Sequence, residues 1–205
     1  EQKLVVPNSN SGYRNSKDGE FLTEKDELSP GSVYGRSKVL GEKYGLEAGA
    51  AVARLATVFG TSQKMRRDLL VNDFVFRSQS DKFIVLFESG SKRNYIHILD
   101  VCDFIIQACE QYNKFSGEAF NVGLSSANLT KRQLADKIKE HAPNFVIKED
   151  EYAKDFDARD YLISNQKLES MGWSAKRDLD FGIKELIKGY SILSHSQHLT
   201  GYTNL

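Results

Sequence analysis

Apolar runs short enough for strands alternate along this chain with longer mixed segments of helical spacing. The run Lys3-Leu-Val-Val-Pro-Asn8 reads as a strand over residues 3–8, and a loop rich in Asn, Ser, Gly and acidic residues follows it. A helix is predicted over 32–48, a strand over 51–56, and a polar, basic loop over 61–67. A helix over 68–80 leads to a strand over 82–87, a turn at Glu88-Ser-Gly-Ser91 and a strand over 94–98. Asp100 is expected to cap the next helix with Asp103 three positions on, and Asp68 to cap the helix at 68–80. Thr130-Lys-Arg-Gln133 is a capping-box pattern for a helix reaching His141. The last helix is placed over Leu179–Leu193 behind Asp178, and residues 194–205 read as a polar, frayed tail. Strand and helix in alternation predict an α/β protein with a parallel sheet.

Composition narrows the class. The 28 basic and 28 acidic residues cancel, which removes the electrostatic case for nucleic acid or a membrane surface. Apolar residues make up 40% of the chain, enough for a core, and no apolar run has spanning length. A cytoplasmic protein is expected. Cys102 and Cys109, seven apart, lie too far along a helix for a disulfide and are expected as reduced core residues. No His or Cys shows metal-ligand spacing beside them, so no metal is expected.

Candidate chemistry sits at Ser9, Tyr34 and Lys38. Tyr34 and Lys38 are four apart in Pro30-Gly-Ser-Val-Tyr-Gly-Arg-Ser-Lys38, which places an ammonium beside a phenol on one helix face. A neighbouring cation favours the phenolate and makes tyrosine usable as an acid/base. Ser9, at the end of the first strand, could hydrogen-bond the substrate oxygen that Tyr34 deprotonates, or simply cap a turn. A second pair, Tyr13 and Lys17, falls in a segment that should not be helical, and is expected to do little.

The surroundings resemble the extended short-chain dehydrogenase/reductases, in the NAD-dependent epimerase/dehydratase branch that acts on nucleotide sugars. Asn8-Ser-Asn-Ser-Gly-Tyr13 is similar to the serine-bearing strand end, and Tyr34-Gly-Arg-Ser-Lys38 to the Tyr-x-x-x-Lys helix. Ala53-Arg-Leu-Ala-Thr-Val-Phe-Gly60, Lys92-Arg-Asn-Tyr-Ile-His-Ile-Leu-Asp100 and Gly117-Glu-Ala-Phe-Asn-Val-Gly123 follow in the family's order. The resemblance implies the C-terminal part of a Rossmann-type doubly wound parallel sheet, with a smaller interleaved α/β substrate-binding domain. Residues 1–60 and 91–123 would belong to the NAD-binding domain, and 61–90 and 124–193 to the substrate domain. It implies catalytic Ser9, Tyr34 and Lys38, with Tyr34 and Lys38 also meeting the cofactor. It implies a sugar site drawn from Ser9, Asn10, Thr57, Asp68 and Leu69, with Arg93 and Arg159 on the diphosphate. The partners implied are a nucleotide-diphosphate sugar and a second copy in a homodimer. Arg93 and Arg159 have an ordinary surface reading as well, while His97 reads as packing or hydrogen-bonded structure and Trp173 as core.

Some features depart from the family. Thr57 stands where asparagine is common. No Gly-x-Gly-x-x-Gly or related turn occurs, so the resemblance implies about 110 further residues upstream, enough for several βα units. The acidic residue that reads the cofactor ribose would lie there, which leaves NAD as the expectation and NADP open. The related 4,6-dehydratases carry an Asp-Glu pair after the serine or threonine; here Asn10 and Ser11 hold those positions. Neither is a proton-transfer group at neutral pH, so an epimerase is expected. A reductase or dehydratase of the same family, or a non-catalytic dinucleotide sensor, is the alternative.

Overall fold

The computed structural model describes residues 2–17, 19–150 and 159–195. Its elements in chain order are β1 (Val5–Ser9), β2 (Phe21–Leu22), α1 (Val33–Glu47), β3 (Ala51–Leu55), β4 (Thr57–Phe59) and α2 (Leu70–Gln79). Then come β5 (Phe83–Phe87), β6 (Lys92–His97), α3 (Ile98–Glu110), β7 (Ala119–Val122), β8 (Asn128–Thr130) and α4 (Lys131–His141). β9 (Val146–Asp150), β10 (Leu162–Ile163), α5 (Gln166–Ser170) and α6 (Leu179–His195) complete it.

The central sheet is parallel in the order β1-β3-β7, with Val5 opposite Ala51 and Val52 opposite Ala119. A central parallel strand is covered on both faces, which is why Ala51, Val52 and Ala53 are fully buried. A second sheet joins β4 in parallel to β6 and β8 antiparallel to β6, while β5 pairs with β9 and β2 with β10. One apolar core lies under α3, where Trp173 meets Phe104 edge-on at 5.6 Å between ring centroids, as core packing requires. A second core gathers Phe59, Phe74, Tyr95, Leu134, Phe145 and Ile183 between α2, α4 and α6.

Helix α1 packs in an unusual way. Its buried residues are Gly35, Glu42 and Gly45, whereas Val33, Leu40 and Tyr44 are exposed. What fastens it is a buried polar network. Glu42 receives Arg54 through both carboxylate oxygens, at 3.0 Å from Nε and 2.6 Å from Nη2. Asn8 donates to the same carboxylate at 2.9 Å and to the Lys38 carbonyl at 3.2 Å. The other end of Arg54 donates at 2.6 Å to the Tyr13 hydroxyl, which lies 2.8 Å from Asn121 Oδ1. Strands β1, β3 and β7 are thereby tied to the helix that carries Tyr34 and Lys38.

Three expectations are corrected. His97, not Asp100, caps α3: its Nδ1 accepts from Leu99 N at 3.3 Å. Asp100 lies in the first turn, because the helix already starts at Ile98, and its carboxylate accepts from the Lys176 and Arg177 backbone N–H groups and from Arg177 Nη1 at 2.6 Å. Asp68 does not cap α2 either. That helix starts behind Leu69 without a side-chain cap, and Asp68 chelates Arg66 instead, Nε to Oδ1 at 2.9 Å. Cys102 is exposed and Cys109 half-buried, because they fall off the apolar stripe of α3; neither is a core residue. The capping box at Thr130 and the Asp178 bond to Phe181 N form as expected. Of the expected tail, residues 194 and 195 continue α6 and 196–205 lie outside the described residues.

Breaking one side of a buried ion pair leaves an uncompensated charge. Glu42→Gln should therefore destabilise the fold by about 3–5 kcal/mol, whereas the paired change Glu42→Leu with Arg54→Met should recover most of that loss. Urea denaturation of the two variants measures both.

Candidate active site

Ser9 closes β1 and caps a single 3-10 turn, Asn10–Gly12. Its Oγ accepts from Ser11 N at 3.1 Å and lies 2.9 Å from the Ser11 hydroxyl. The turn-capping role and a substrate-facing role are thus both open to this serine. The turn sits against the start of α1. A Cβ at Gly35 would lie 2.6 Å from the Ser11 carbonyl oxygen, so only glycine after Tyr34 lets the helix approach this closely. Ser32 caps α1 by accepting from Gly35 N at 3.0 Å, which fixes where the first turn begins.

That first turn carries Tyr34, 53% exposed, and the next carries Lys38, whose Nζ lies 5.6 Å from the Tyr34 ring centroid. The phenol is open to a ligand with a cation at its side. Arg66, on the 61–67 loop, is raised above its ordinary value chiefly by its bond to Asp68, with the Tyr34 phenol within electrostatic reach. Arg66 was not singled out by the sequence; its only signal was the basic character of that loop.

Tyr13 is a different kind of residue. It is 3% exposed, and burial pushes its phenol up to about 12 despite Arg54 beside it. It stays protonated at neutral pH and cannot be the base. The expectation that it does little is corrected all the same, because its hydroxyl links Arg54, Asn121 and the Thr23 carbonyl.

The other candidates divide into two groups. Asn10 is buried on the turn beside Ser9, and Thr57 is half-buried on β4 opposite Tyr95. Asp68 is on the surface with Arg66, and Leu69 is half-buried at the head of α2. Arg93 is only 6% exposed on β6, which rules out an ordinary surface role. Arg159 precedes Asp160, whose carboxylate accepts from Lys92 N at 2.9 Å, while Tyr161 N donates to the Lys92 carbonyl. The segment of Arg159 is thus pinned against the strand of Arg93. A cavity of about 380 Å³ between α2 and β5, lined by Phe74, Arg77, Phe83 and Lys131 among others, touches none of these residues.

His97, expected as packing or hydrogen-bonded structure, is fully buried. Because Nδ1 accepts from Leu99 N, Nε2 carries the hydrogen and donates to Glu185 at 2.8 Å. Glu185 also accepts from Thr61 N at 3.1 Å, so Glu185 fastens α6 to the 61–67 loop and this histidine holds Glu185 to the end of β6. Glu140, His141 and Asp180 lie close enough to suggest a metal. Lys137 Nζ stands among them, 2.8 Å from Glu140 and 2.9 Å from Asp180, and makes the group an ion-pair cluster. No described helix is long and apolar enough to cross a membrane.

A parallel α/β sheet with a serine at a strand end, and a Tyr-x-x-x-Lys helix packed on it, defines the class: a Rossmann-type fold of the dehydrogenase kind. The chain belongs to the NAD dependent epimerase/dehydratase family, whose model matches residues 1–123. It is 24% identical over 203 residues to the dTDP-D-glucose 4,6-dehydratase of Mus musculus, covering 92% of this chain and 56% of that one. Among solved structures it resembles the UDP-glucose 4-epimerase of Thermus thermophilus complexed with NAD, with a TM-score of 0.78, 22% identity, and 93% of this chain against 64% of that one. MoeE5 in complex with UDP-glucose and NAD gives a TM-score of 0.80 at 20% identity, with 95% and 66% covered. These likenesses extend the Rossmann-type fold beyond the family match. The chain spans 56–62% of the length of the curated relatives it matches.

Tyr13→Phe should cost about 1–3 kcal/mol of stability, the loss expected when buried partners are left unsatisfied. Tyr34→Phe should leave stability unchanged, since that phenol faces solvent. Thermal melts of the two variants compare them directly.

Proposed function

We propose that the complete protein is an NAD-dependent nucleotide-sugar epimerase. The observation that carries this reading is the turn after Ser9. With Ser9, Tyr34 and Lys38 read as the triad, Asn10 and Ser11, both buried, put no carboxylate where loss of water from a sugar would need one. The similarity to enzymes whose names include NAD, UDP-glucose and an epimerase supports the cofactor and the substrate class.

The residues present suit a nicotinamide nucleotide: an exposed phenol flanked by a cation, at the carboxyl end of a parallel strand. Tyr34 and Lys38 would hold its ribose. Bound NAD would supply hydride acceptance at the sugar carbon and hydride return. Tyr34, as the phenolate, takes the proton from the sugar hydroxyl and becomes a neutral phenol, with the Lys38 ammonium at its side. Ser9 donates a hydrogen bond to the same oxygen. After the keto sugar has turned its other face, Tyr34 returns the proton as general acid. Arg93 and Arg159 would grip the diphosphate, since a guanidinium offers paired donors matched to phosphate oxygens. Asn10, Thr57 and Leu69 would border the sugar. Residues 1–60 with 91–123, and 61–90 with 124–193, would form the cofactor and substrate halves. The exposed stripe of Val33, Leu40 and Tyr44 on α1 supports a second copy docking there to make a homodimer. A cytoplasmic location goes with this reading.

A nucleotide sugar deuterated at the oxidised carbon tests the reaction. An epimerase returns the deuterium to the same carbon with mass unchanged, whereas a dehydratase product would be lighter by one water. Tyr34→Phe should lower kcat by at least about 100-fold with NAD still bound. Arg93→Ala and Arg159→Ala should each weaken nucleotide-sugar binding by about 1.5–3 kcal/mol, read by titration calorimetry. Unchanged affinity in both variants would remove the clamp.

A further inference from the structure

The Ser9 hydroxyl has two acceptor lone pairs and one hydrogen, as every serine does. Both lone pairs are engaged from within its own turn. Ser11 N–H donates to Oγ at 3.1 Å; the Ser11 hydroxyl lies 2.9 Å away and, 3% exposed with no other acceptor for its hydrogen among the described residues, directs it to Ser9. Among the described residues no acceptor takes the Ser9 hydrogen. Ser9 can therefore meet a further group only by donating. Ser11 is 3% exposed, so water does not compete with this arrangement, and its carbonyl oxygen is held against α1 at Gly35, directly after Tyr34. The turn and the head of the helix are fitted to each other at the atoms that flank the two reacting side chains.

We propose that Ser11 is a positioning residue that makes Ser9 an obligate hydrogen-bond donor and aims it at the substrate oxygen shared with Tyr34. The inference rests on the reading of Ser9 as substrate-facing. The chemistry needs this polarity. When the sugar hydroxyl gives its proton to the Tyr34 phenolate, negative charge gathers on the sugar oxygen, and a donor stabilises it while an acceptor would not. A donor whose own oxygen already accepts two hydrogen bonds is also the stronger one, because hydrogen bonds in a chain polarise each other. The residue that replaces a proton-transfer group in the related dehydratases thus has a task of its own here.

A double-mutant cycle on the complete protein, assayed with NAD and UDP-glucose, tests it. Ser9→Ala should lower kcat by about 10-fold or more, and Ser11→Ala by about 3- to 10-fold, the scale of one neutral hydrogen bond. The KM for UDP-glucose should stay within about two-fold and the melting temperature near that of the parent, as befits a neutral bond lost without a charge. In the Ser9→Ala background, Ser11→Ala should cost nothing further. Ser11→Cys, a weak donor of similar size, should fall between, and it serves in place of Ser11→Ala if that variant does not fold. Full activity in Ser11→Ala, or an equal loss in both backgrounds, would overturn the role of Ser11. Full activity in Ser9→Ala would instead overturn the reading of Ser9, and with it this inference.

Discussion

A buried ion pair holds this structure to its chemistry. Arg54 lies on the middle strand of the central sheet with 5% of its surface exposed, and Glu42 meets it from α1 with 4% exposed. Taking two charges out of water is costly, and the cost is offset only where geometry is good and every remaining donor and acceptor is engaged. Here the fork of Arg54 meets both Glu42 oxygens, Asn8 supplies a further donor, and Tyr13 takes the free end of the guanidinium. The net effect of Glu42 and Tyr13 outweighs burial and raises Arg54 above its ordinary value, so the cation is permanent. Apolar packing would let a helix slide or rotate by a fraction of a residue. A bidentate bond does not, and Tyr34 is held eight positions upstream of Glu42 on the same rigid helix.

The remaining features of the site hang from this attachment. Asn8 belongs to the network and is the neighbour of Ser9, so the strand end and the helix share one anchor. Gly35 removes the Cβ that would separate them. At a distance in sequence, His97 and Glu185 fasten the 61–67 loop, with Arg66 near the Tyr34 phenol. The segment of Arg159 is laid beside Arg93 by Asp160. The region of Tyr34 and the region of Arg93 and Arg159 are therefore anchored separately, the first by buried polar groups and the second by the half-exposed Asp160.

Much of the architecture could be read from local pattern. The helices at Val33–Glu47 and Lys131–His141, the strand at Phe83–Phe87 and the cap at Thr130 follow from short-range signals that require no knowledge of the fold. The strands β4, β8, β9 and β10 could not be read this way. They are two to five residues long and mostly half-exposed, and their pairing, not their composition, makes them strands. Asp68 and Asp100 misled for a related reason: each carries good capping chemistry, but the helices start at Leu70 and Ile98, and the two carboxylates bond Arg66 and Arg177.

The order of residues along the chain was enough to place Ser9, Tyr34 and Lys38, since a strand end and an i, i+4 pair on a helix are local facts. It was enough to separate the helical pair Tyr34 and Lys38 from Tyr13 and Lys17, which share no helix. It did not disclose that Tyr13 is a structural hub, because its partner Arg54 is 41 residues away and its partner Asn121 is 108. Nor did it disclose that Ser11 hydrogen-bonds the Ser9 hydroxyl within the turn Asn10–Gly12, or that this turn lies against α1 at Gly35. Spacing names the groups that can react. Which of them is buried in a network and which is left open to a ligand is settled by contacts between distant segments, since a hydrogen bond needs a partner in place and burial decides whether water can substitute.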